Sequence, residues 1–468
     1  MPTMQSTRSN NVKFDADLIA RYGGRGPRYT SYPAAPQFTE SFSAKDYSQY
    51  AQSSNTTERP LSIYVHIPFC NSLCYYCGCN KIVTRNQTRV VKYLNNLHLE
   101  IEMQAKLFSP SRQVEQLHFG GGTPTYLDQQ QMAELMHALA SSFQFAPPAE
   151  REFSIEVDPR TVSSESLRTL AALGFNRLSL GVQDFDAAVQ QAVNRIQSEA
   201  EVAELLATAR DNQFKSVSFD LIYGLPLQTR QSFSRTLDSV IEMRPDRLAV
   251  YNYAHLPARF KGQRMIETDQ IPSPDVKLEI LHMTIDRLQD AGYRYIGMDH
   301  FALPEDDMVI ARENRTLQRN FQGYSTHRDC DLIGLGVSSI SHIGNSFSQN
   351  AITTMEYEAL IENDRLPVRK GIAIDADDVL RADVIQALMC YDELNFCEFE
   401  RRYRISFRDY FRDELARLAG LEQDELLEID EAGIRVKPCG RLLMRNIAMQ
   451  FDRHLESPGN SERYSKAI

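Results

Sequence analysis

From Leu61 to about Ala302, short apolar runs alternate with stretches whose apolar residues recur at helical spacing. The runs Ser62–Ile67, Gln116–Phe119, Phe153–Val157, Arg177–Leu180, Val217–Ile222 and Arg247–Tyr253 predict strands, and the intervals leave room for a helix in each crossover. Phe233, Leu237, Val240 and Ile241 fall on one helical face, with Thr229 as cap and Pro245 just beyond the end. Leu167, Leu170, Ala171 and Leu173 do the same before Gly174, a C-terminal stop. Such alternation implies an α/β fold with a parallel sheet, open or closed into a barrel. From about Ile374 the pattern changes. Asp375–Cys390 and Phe407–Leu421 read as amphipathic helices, Leu427–Val436 as a hairpin turning at Glu431–Gly433, and a last helix follows Gly440. That order is reminiscent of a winged helix, and covering the barrel mouth is its better use.

In parallel α/β folds, ligands gather at the C-terminal ends of the strands. The chemistry-bearing residues cluster there. Cys70, Cys74 and Cys77, spaced C-x3-C-x2-C, follow the first strand, with Cys79 close behind. Gly120-Gly-Gly-Thr123-Pro124 follows the second, Glu156-Val-Asp158-Pro159 ends the third, Gln183 and Asp184 follow the fourth, and Asp220 lies late in the fifth. A cubane iron–sulfur cluster usually takes four thiolates. Three leave one iron open for a small ligand, an arrangement suited to chemistry rather than electron storage. A zinc knuckle wants a second pair of ligands, and Cys330, Cys390, Cys397 and Cys439 are scattered. Each other element has a plain structural reading: glycines mark tight turns, lone acids cap them, and Arg195 by default is a solvated helix residue.

Composition narrows the class. The chain has 468 residues, enough for two or three domains, and its net charge of −11 argues against a general nucleic-acid grip. No apolar run approaches the ~20 residues of a membrane span, and Met1 to Asn11 lacks an apolar signal core. Reduced thiols and a labile cluster favour the cytoplasm. The start of the chain departs from the acidic whole: between Met1 and Ala34, Arg8, Lys13, Arg21, Arg25 and Arg28 face only Asp15 and Asp17. Gly23, Gly24 and Gly26 give it flexibility, and its arginines match a polyanionic substrate as well as they match solvent.

Tyr64 to Cys79 resembles the cluster loop of radical S-adenosylmethionine (SAM) enzymes. Pro27–Pro33, His118–Thr125, Gly181–Asp184, Asp220–Pro226, Asn252–His255, Gly297–Phe301, Asn320–Tyr324, Gly334–Ser341 and Gly440–Asn446 extend the likeness over nearly the whole chain. Together they resemble the oxygen-independent coproporphyrinogen III oxidases. The resemblance implies a partial (β/α) barrel at 61–303, preceded by an arm at 1–60 and followed by an extension at 304–373 and a mainly helical domain at 374–468. It implies a [4Fe–4S] cluster on Cys70, Cys74 and Cys77, with Cys79 outside the first shell, and two SAM molecules. One would meet Tyr64, Gly121, Glu156 and Ile340; the other would meet Tyr76, Gly122, Thr123, Gln183, Arg195, Asp220 and Ala254. The implied reaction converts two propionates of coproporphyrinogen III to vinyls in haem biosynthesis, by a 5′-deoxyadenosyl radical. No protein acid or base is obligatory, and Cys79 is the one catalytic candidate. Arg21, Arg25 and Arg28 would bind the tetra-anionic substrate. A low-potential electron donor, an electron acceptor and a monomeric state complete the expectation. The rival of another class is a haem-binding chaperone on the same barrel. Such relatives lack the arm and a cysteine at the position of Cys79; both are present here.

Overall fold

The computed structural model describes residues 11–327 and 329–455; Arg8 of the arm lies outside them. Six strands follow one another, each longer than or close to its expected run: β1 (Leu61–Ile67), β2 (Gln113–Gly121), β3 (Glu152–Val157), β4 (Arg177–Gln183), β5 (Ser216–Tyr223) and β6 (Arg247–Asn252). All pair in parallel, and sequence neighbours are sheet neighbours throughout. With right-handed crossovers, that unreversed order places every connecting helix on the same face. Three of them are α1 (Gln87–Ala105), α2 (Ser164–Ala172) and α3 (Arg230–Met243). Thr229 caps α3 by accepting from the Ser232 amide, and Gly174, at φ +95°, follows α2 in the left-handed region.

Past β6 the sheet continues to an antiparallel hairpin of β7 (Arg294–Gly297) and β8 (His300–Ala302), with β8 antiparallel to β6 and β7 at the edge. On the other side of β1 lie parallel β9 (Asp331–Leu335), then antiparallel β10 (Ile340–Ile343), β11 (Ser346–Asn350) and β12 (Val368–Ala373). Among the described residues the path runs from β7 to β12 without closing, an open barrel.

Strand alternation gives the sheet two unlike faces. Ile63, Val65, Leu117, Phe119, Phe153, Ile155, Leu178, Leu180, Val217 and Phe219 turn outward and are fully or almost fully buried in the main core. The inward positions are polar. At the floor, Ser62 donates to Gln116 (2.9 Å), Gln116 to Glu152 (3.3 Å), and Arg177 pairs with Glu152 (2.9 Å). Further round, Ser216 and Arg247 share Asp306 at 2.7 and 2.8 Å. Two hydrogen-bonded groups of side chains thus line the floor, and the lumen opens at the strands' C-terminal ends.

The C-terminal region has its own core, which also takes in Tyr29 and Tyr32 of the arm. It runs helix Ala376–Tyr391, strand Glu393–Asn395, short helices Phe396–Tyr403 and Phe407–Tyr410, helix Arg412–Gln423, then hairpin Leu427–Ile429 with Gly433–Val436. The isolated strand completes a three-stranded sheet with that hairpin. The expected last helix is the short α-helix Met444–Ala448, continued on each side by a 3-10 turn, Gly440–Leu443 and Met449–Phe451. The arm is docked: Asn446 donates to the Tyr22 carbonyl (2.6 Å), Arg445 to that of Pro27 (2.9 Å), and the Lys13 amide to that of Pro438 (3.0 Å).

One buried ion pair joins three parts of the chain. Arg112, at the entry to β2, meets Asp331 of β9 at 2.6 Å and donates to Ser54 and to the Arg59 carbonyl. Asp331 also accepts from the Gly344 amide at 3.0 Å. Removing one partner leaves an uncompensated buried charge. Asp331→Ala is expected to lose about 3–5 kcal/mol in urea unfolding; an unchanged midpoint would show that the pair contributes nothing.

Candidate active site

Above the floor, the inward row continues as Tyr64, His118, Ser154, Glu156, Ser179 and Asp220, all half-buried. Tyr64 stacks on His118 with ring centroids 5.8 Å apart, and its hydroxyl meets His66 Nδ1 at 3.0 Å. His118 bridges Ser154 (2.6 Å) and Glu156 (3.4 Å), while Ser179 donates to Asp220 (3.0 Å). Burial, with Glu156 nearby, pushes Asp220 up to about 7. The Glu156 carboxylate stays accessible from the lumen, its side chain 43% exposed, and accepts the Gly121 amide at 3.1 Å.

The glycine run has a steric reason. A Cβ on Gly120 would lie 2.9 Å from Glu156 Oε1. At Gly121, φ is +119° and a Cβ would lie 2.7 Å from the His66 ring. The bare backbone therefore passes between Glu156 and the cluster loop. Gly122 donates to the Ile67 carbonyl and Thr123 to that of Phe69, both at 2.9 Å.

Cys70 and Cys74 are buried, Cys77 half-buried and Cys79 exposed; none of the eight cysteines is in a disulfide. Thr123 Oγ1 lies 3.5 Å from Cys70 Sγ, and burial raises Cys70 to about 11. Contact with Cys79, reinforced by Lys81, lowers Cys77; the Cys79 amide donates to Cys77 Sγ at 3.5 Å. Two guanidinium groups aim at Cys74 Sγ, Arg160 at 3.3 Å and Arg195 at 3.6 Å, and both pair with Asp158. Donors of this charge suit a sulfur that carries negative charge. Arg195 also donates to the Gly181 carbonyl at 2.5 Å, yet its buried Nε has no partner. Among the described residues no three His, Cys, Asp or Glu close around a single ion. A cubane places each thiolate on a different iron, so such convergence is not required. Three unpaired thiols flanked by cationic donors, beside a glycine cradle and an accessible carboxylate, fit a cluster and a small zwitterionic cofactor.

The fold thus brings Tyr64, Gly121, Gly122, Thr123, Glu156, Gln183, Arg195 and Asp220 to one end of one sheet with Cys70, Cys74 and Cys77. Gln183 ends β4 with φ +66°. Tyr76 and Ala254 are joined by Gln263, whose Nε2 donates to both carbonyls at 2.9 and 3.1 Å. Ile340 opens β10 beside Gly334. The three arm arginines separate. Arg28 lies 6.0 Å above the Tyr251 ring and pairs with Asp299, whereas Arg21 pairs with Asp424 at 2.6 Å in the C-terminal domain and Arg25 is exposed. Asp184 belongs to the scaffold, holding Thr236 (2.7 Å) and Gln228 (2.5 Å). His66, His118, Arg160 and Gln263 were not singled out from sequence. His118 was within reach, since it alternates in step with inward Gln116; Arg160 and Gln263 gave no local signal.

An open parallel barrel with a three-cysteine loop after its first strand defines a radical SAM protein. Residues 64–240 match the Radical SAM superfamily model, and residues 374–443 match the HemN C-terminal domain. The oxygen-independent coproporphyrinogen III oxidase of Pseudomonas aeruginosa is 49% identical, covering 98% of this chain and 100% of its own. That of Escherichia coli is 48% identical over 98% and 99%. The solved structure of the E. coli coproporphyrinogen III oxidase (HemN), described as a radical SAM enzyme, superposes with TM-score 0.90 at 48% identity, covering 95% of this chain and 100% of that one. The chain belongs to the oxygen-independent coproporphyrinogen III oxidase family. It is a radical SAM oxidoreductase, with a [4Fe–4S] cluster and SAM as the cofactors this superfamily implies. No helix among the described residues is long and apolar enough to cross a membrane.

The cradle makes a steric prediction. Gly121→Ala is expected to cost about 1–3 kcal/mol of local strain and to weaken SAM binding, read by equilibrium dialysis on cluster-loaded protein. Wild-type SAM affinity in that variant would remove the close-approach argument.

Proposed function

We propose that this protein catalyses the anaerobic oxidative decarboxylation of two propionate side chains of coproporphyrinogen III to vinyls, giving protoporphyrinogen IX. The observation that carries the reading is the gathering of the three cysteines, the glycine cradle and Glu156 at one sheet edge, in a chain that matches its relatives end to end. Cys70, Cys74 and Cys77 hold the cluster; Tyr64, Gly121, Glu156 and Ile340 line the SAM on it. A second SAM lies among Tyr76, Gly122, Thr123, Gln183, Arg195, Asp220 and Ala254. Bound there, the cluster and SAM would supply the 5′-deoxyadenosyl radical that takes a hydrogen atom from each propionate. In the substrate, the bond to the carboxylate then breaks, carbon dioxide leaves, and one electron passes to an acceptor as the vinyl forms. The chain's own residues orient and exclude: the polar floor lines the lumen from below, Arg160 and Arg195 hold the loop around Cys74, and Arg28 of the arm faces the substrate carboxylates. Cys79, exposed beside Cys77, is the candidate to touch substrate or second cofactor. An external low-potential donor and an acceptor are required. The protein works as a monomer in the cytoplasm, where its cysteines, none of them in a disulfide, stay reduced.

The test is anaerobic turnover with SAM, a low-potential reductant, coproporphyrinogen III and a cell extract as acceptor source. Vinyl product formed in step with 5′-deoxyadenosine is expected. SAM cleavage without change in the porphyrinogen would refute the substrate; haem binding without turnover would favour the chaperone. Cys74→Ser should carry no cluster and no activity, and a loaded, SAM-cleaving variant would overturn the ligand set.

Asp220 gives a pH prediction. Its carboxyl, raised to about 7, is largely protonated at pH 6 and ionised at pH 8. Only the ionised form attracts a sulfonium or ammonium cation, so affinity at the second SAM site should rise between pH 6 and 8. Asp220→Asn should abolish that rise; a flat wild-type profile would remove Asp220 from the site.

A further inference from the structure

Arg28 is the arm arginine that reaches the lumen, and its surroundings are built to hold it there. Its carbonyl accepts from Arg319 Nε at 3.1 Å, while Arg445 donates to the neighbouring carbonyls of Gly26 and Pro27. Arg319 and Arg445 are themselves buried, at 4% and 2% exposure. Arg319 lies 4.9 Å over the Tyr324 ring, pairs with no carboxylate among the described residues, and leaves its buried Nη1 without a partner. Arg319 and Arg445 thus bring two further cations to the place where Asp299 answers Arg28. Arg28 stays accessible, its side chain 41% exposed, above Tyr251, which shares the inward face of β6 with Ala249, the register partner of Asp220.

Asp299 is held in an unusual way. It sits in the turn between β7 and β8, after Gly297 at φ +156° and Met298 at φ +54°. Its backbone is fixed by the Val250 amide, which donates to the Asp299 carbonyl at 2.8 Å. Its carboxylate has no partner but Arg28 among the described residues. A rotation about the side chain alone would release Arg28 without disturbing the sheet.

We propose that Arg28 is a carboxylate receptor at the barrel mouth, positioned by Arg319 and Arg445, and that a substrate propionate binds it by displacing Asp299. The inference rests on the proposed function for the identity of the substrate. A planar guanidinium accepts one carboxylate in place of another at nearly unchanged charge balance, so the exchange is selective for anionic side chains. Arg319 and Arg445 act through the backbone of Gly26 to Arg28, as positioning residues. Asp299 keeps the receptor ordered and sets a threshold that a neutral side chain does not cross.

The experiment measures binding of coproporphyrin III, the oxidised fluorescent counterpart of the substrate, and of its tetra-amide to the anaerobically reconstituted holoenzyme. The acid should bind and the amide should bind about tenfold or more weakly. Arg28→Gln should weaken the acid by about tenfold. Asp299→Asn should tighten it several-fold, and in the Arg28→Gln background that gain should vanish. Weaker or unchanged binding in Asp299→Asn, with its cluster spectrum intact, would overturn the exchange. Arg319→Gln should raise KM for coproporphyrinogen III and leave kcat at saturation near wild type; a fall in kcat with KM unchanged would make Arg319 a structural residue and overturn its positioning role. Failure of the wild-type protein to bind the tetra-acid would instead sink the functional reading beneath the proposal.

Discussion

Side-chain alternation on six parallel strands is the constraint from which the rest of the structure follows. Each strand turns apolar residues outward under the helices and polar residues into the lumen. A polar lumen cannot be left unsatisfied, because each buried donor or acceptor without a partner costs about 1–3 kcal/mol. At the floor most side chains answer one another, from Ser62 through Gln116 and Glu152 to Arg177 and again at Asp306, while Arg177 Nη1 and Arg247 Nη2 keep no hydrogen-bond partner. At the mouth they answer only in part, so Glu156 and the Arg195 Nε retain capacity for a ligand. The same alternation therefore satisfies most of one end of the barrel and arms the other.

The mouth is assembled by backbone as much as by side chains. Gly120 and Gly121 pass so close to Glu156 and His66 that any Cβ would collide. The cluster loop is tied to its neighbours through main-chain carbonyls: the Tyr75 amide donates to Val193 at 3.0 Å, and Asn194 Nδ2 to Leu73 at 2.8 Å. Arg195 lies in that second loop and reaches Cys74, Asp158 and Gly181 at once. One arginine thereby couples the geometry of the cysteine loop to two strand ends, which a surface residue in a lone helix could not do. The C-terminal domain plays the corresponding part for the arm, gripping the carbonyls of Tyr22, Gly26 and Pro27. The glycines that gave the arm its freedom in sequence instead let it fit closely: a Cβ at Gly23 would lie 2.5 Å from the Ile19 carbonyl oxygen.

The strands and their order of chemistry were legible because both are local properties. Period-two and period-3.6 patterns write secondary structure directly, and the Thr229 cap and Gly174 stop carry their own backbone preferences. The cysteine spacing is equally local, and the resemblance it supports led to the right family. The separation of the arm's arginines was not legible. Arg21, Arg25 and Arg28 look alike in sequence, but Arg28 meets Asp299 at the lumen while Arg21 pairs with Asp424 in the C-terminal domain, because Arg319, 291 residues away, and Arg445 hold the backbone around Arg28. Gln263, bridging Tyr76 and Ala254, is likewise one glutamine among many until the loops converge.

By itself, then, the sequence determined the alternating elements, the parallel class of sheet and a cysteine loop whose spacing suits an iron–sulfur cluster, since each is encoded within a few residues by side-chain period, backbone preference or ligand spacing. Tertiary structure alone decided which polar residues satisfy one another and which remain open to a ligand. It alone also decided that the barrel stays open, and which arginine of the arm faces the lumen. Those outcomes depend on contacts between residues hundreds of positions apart, where geometry rather than residue type selects the partner.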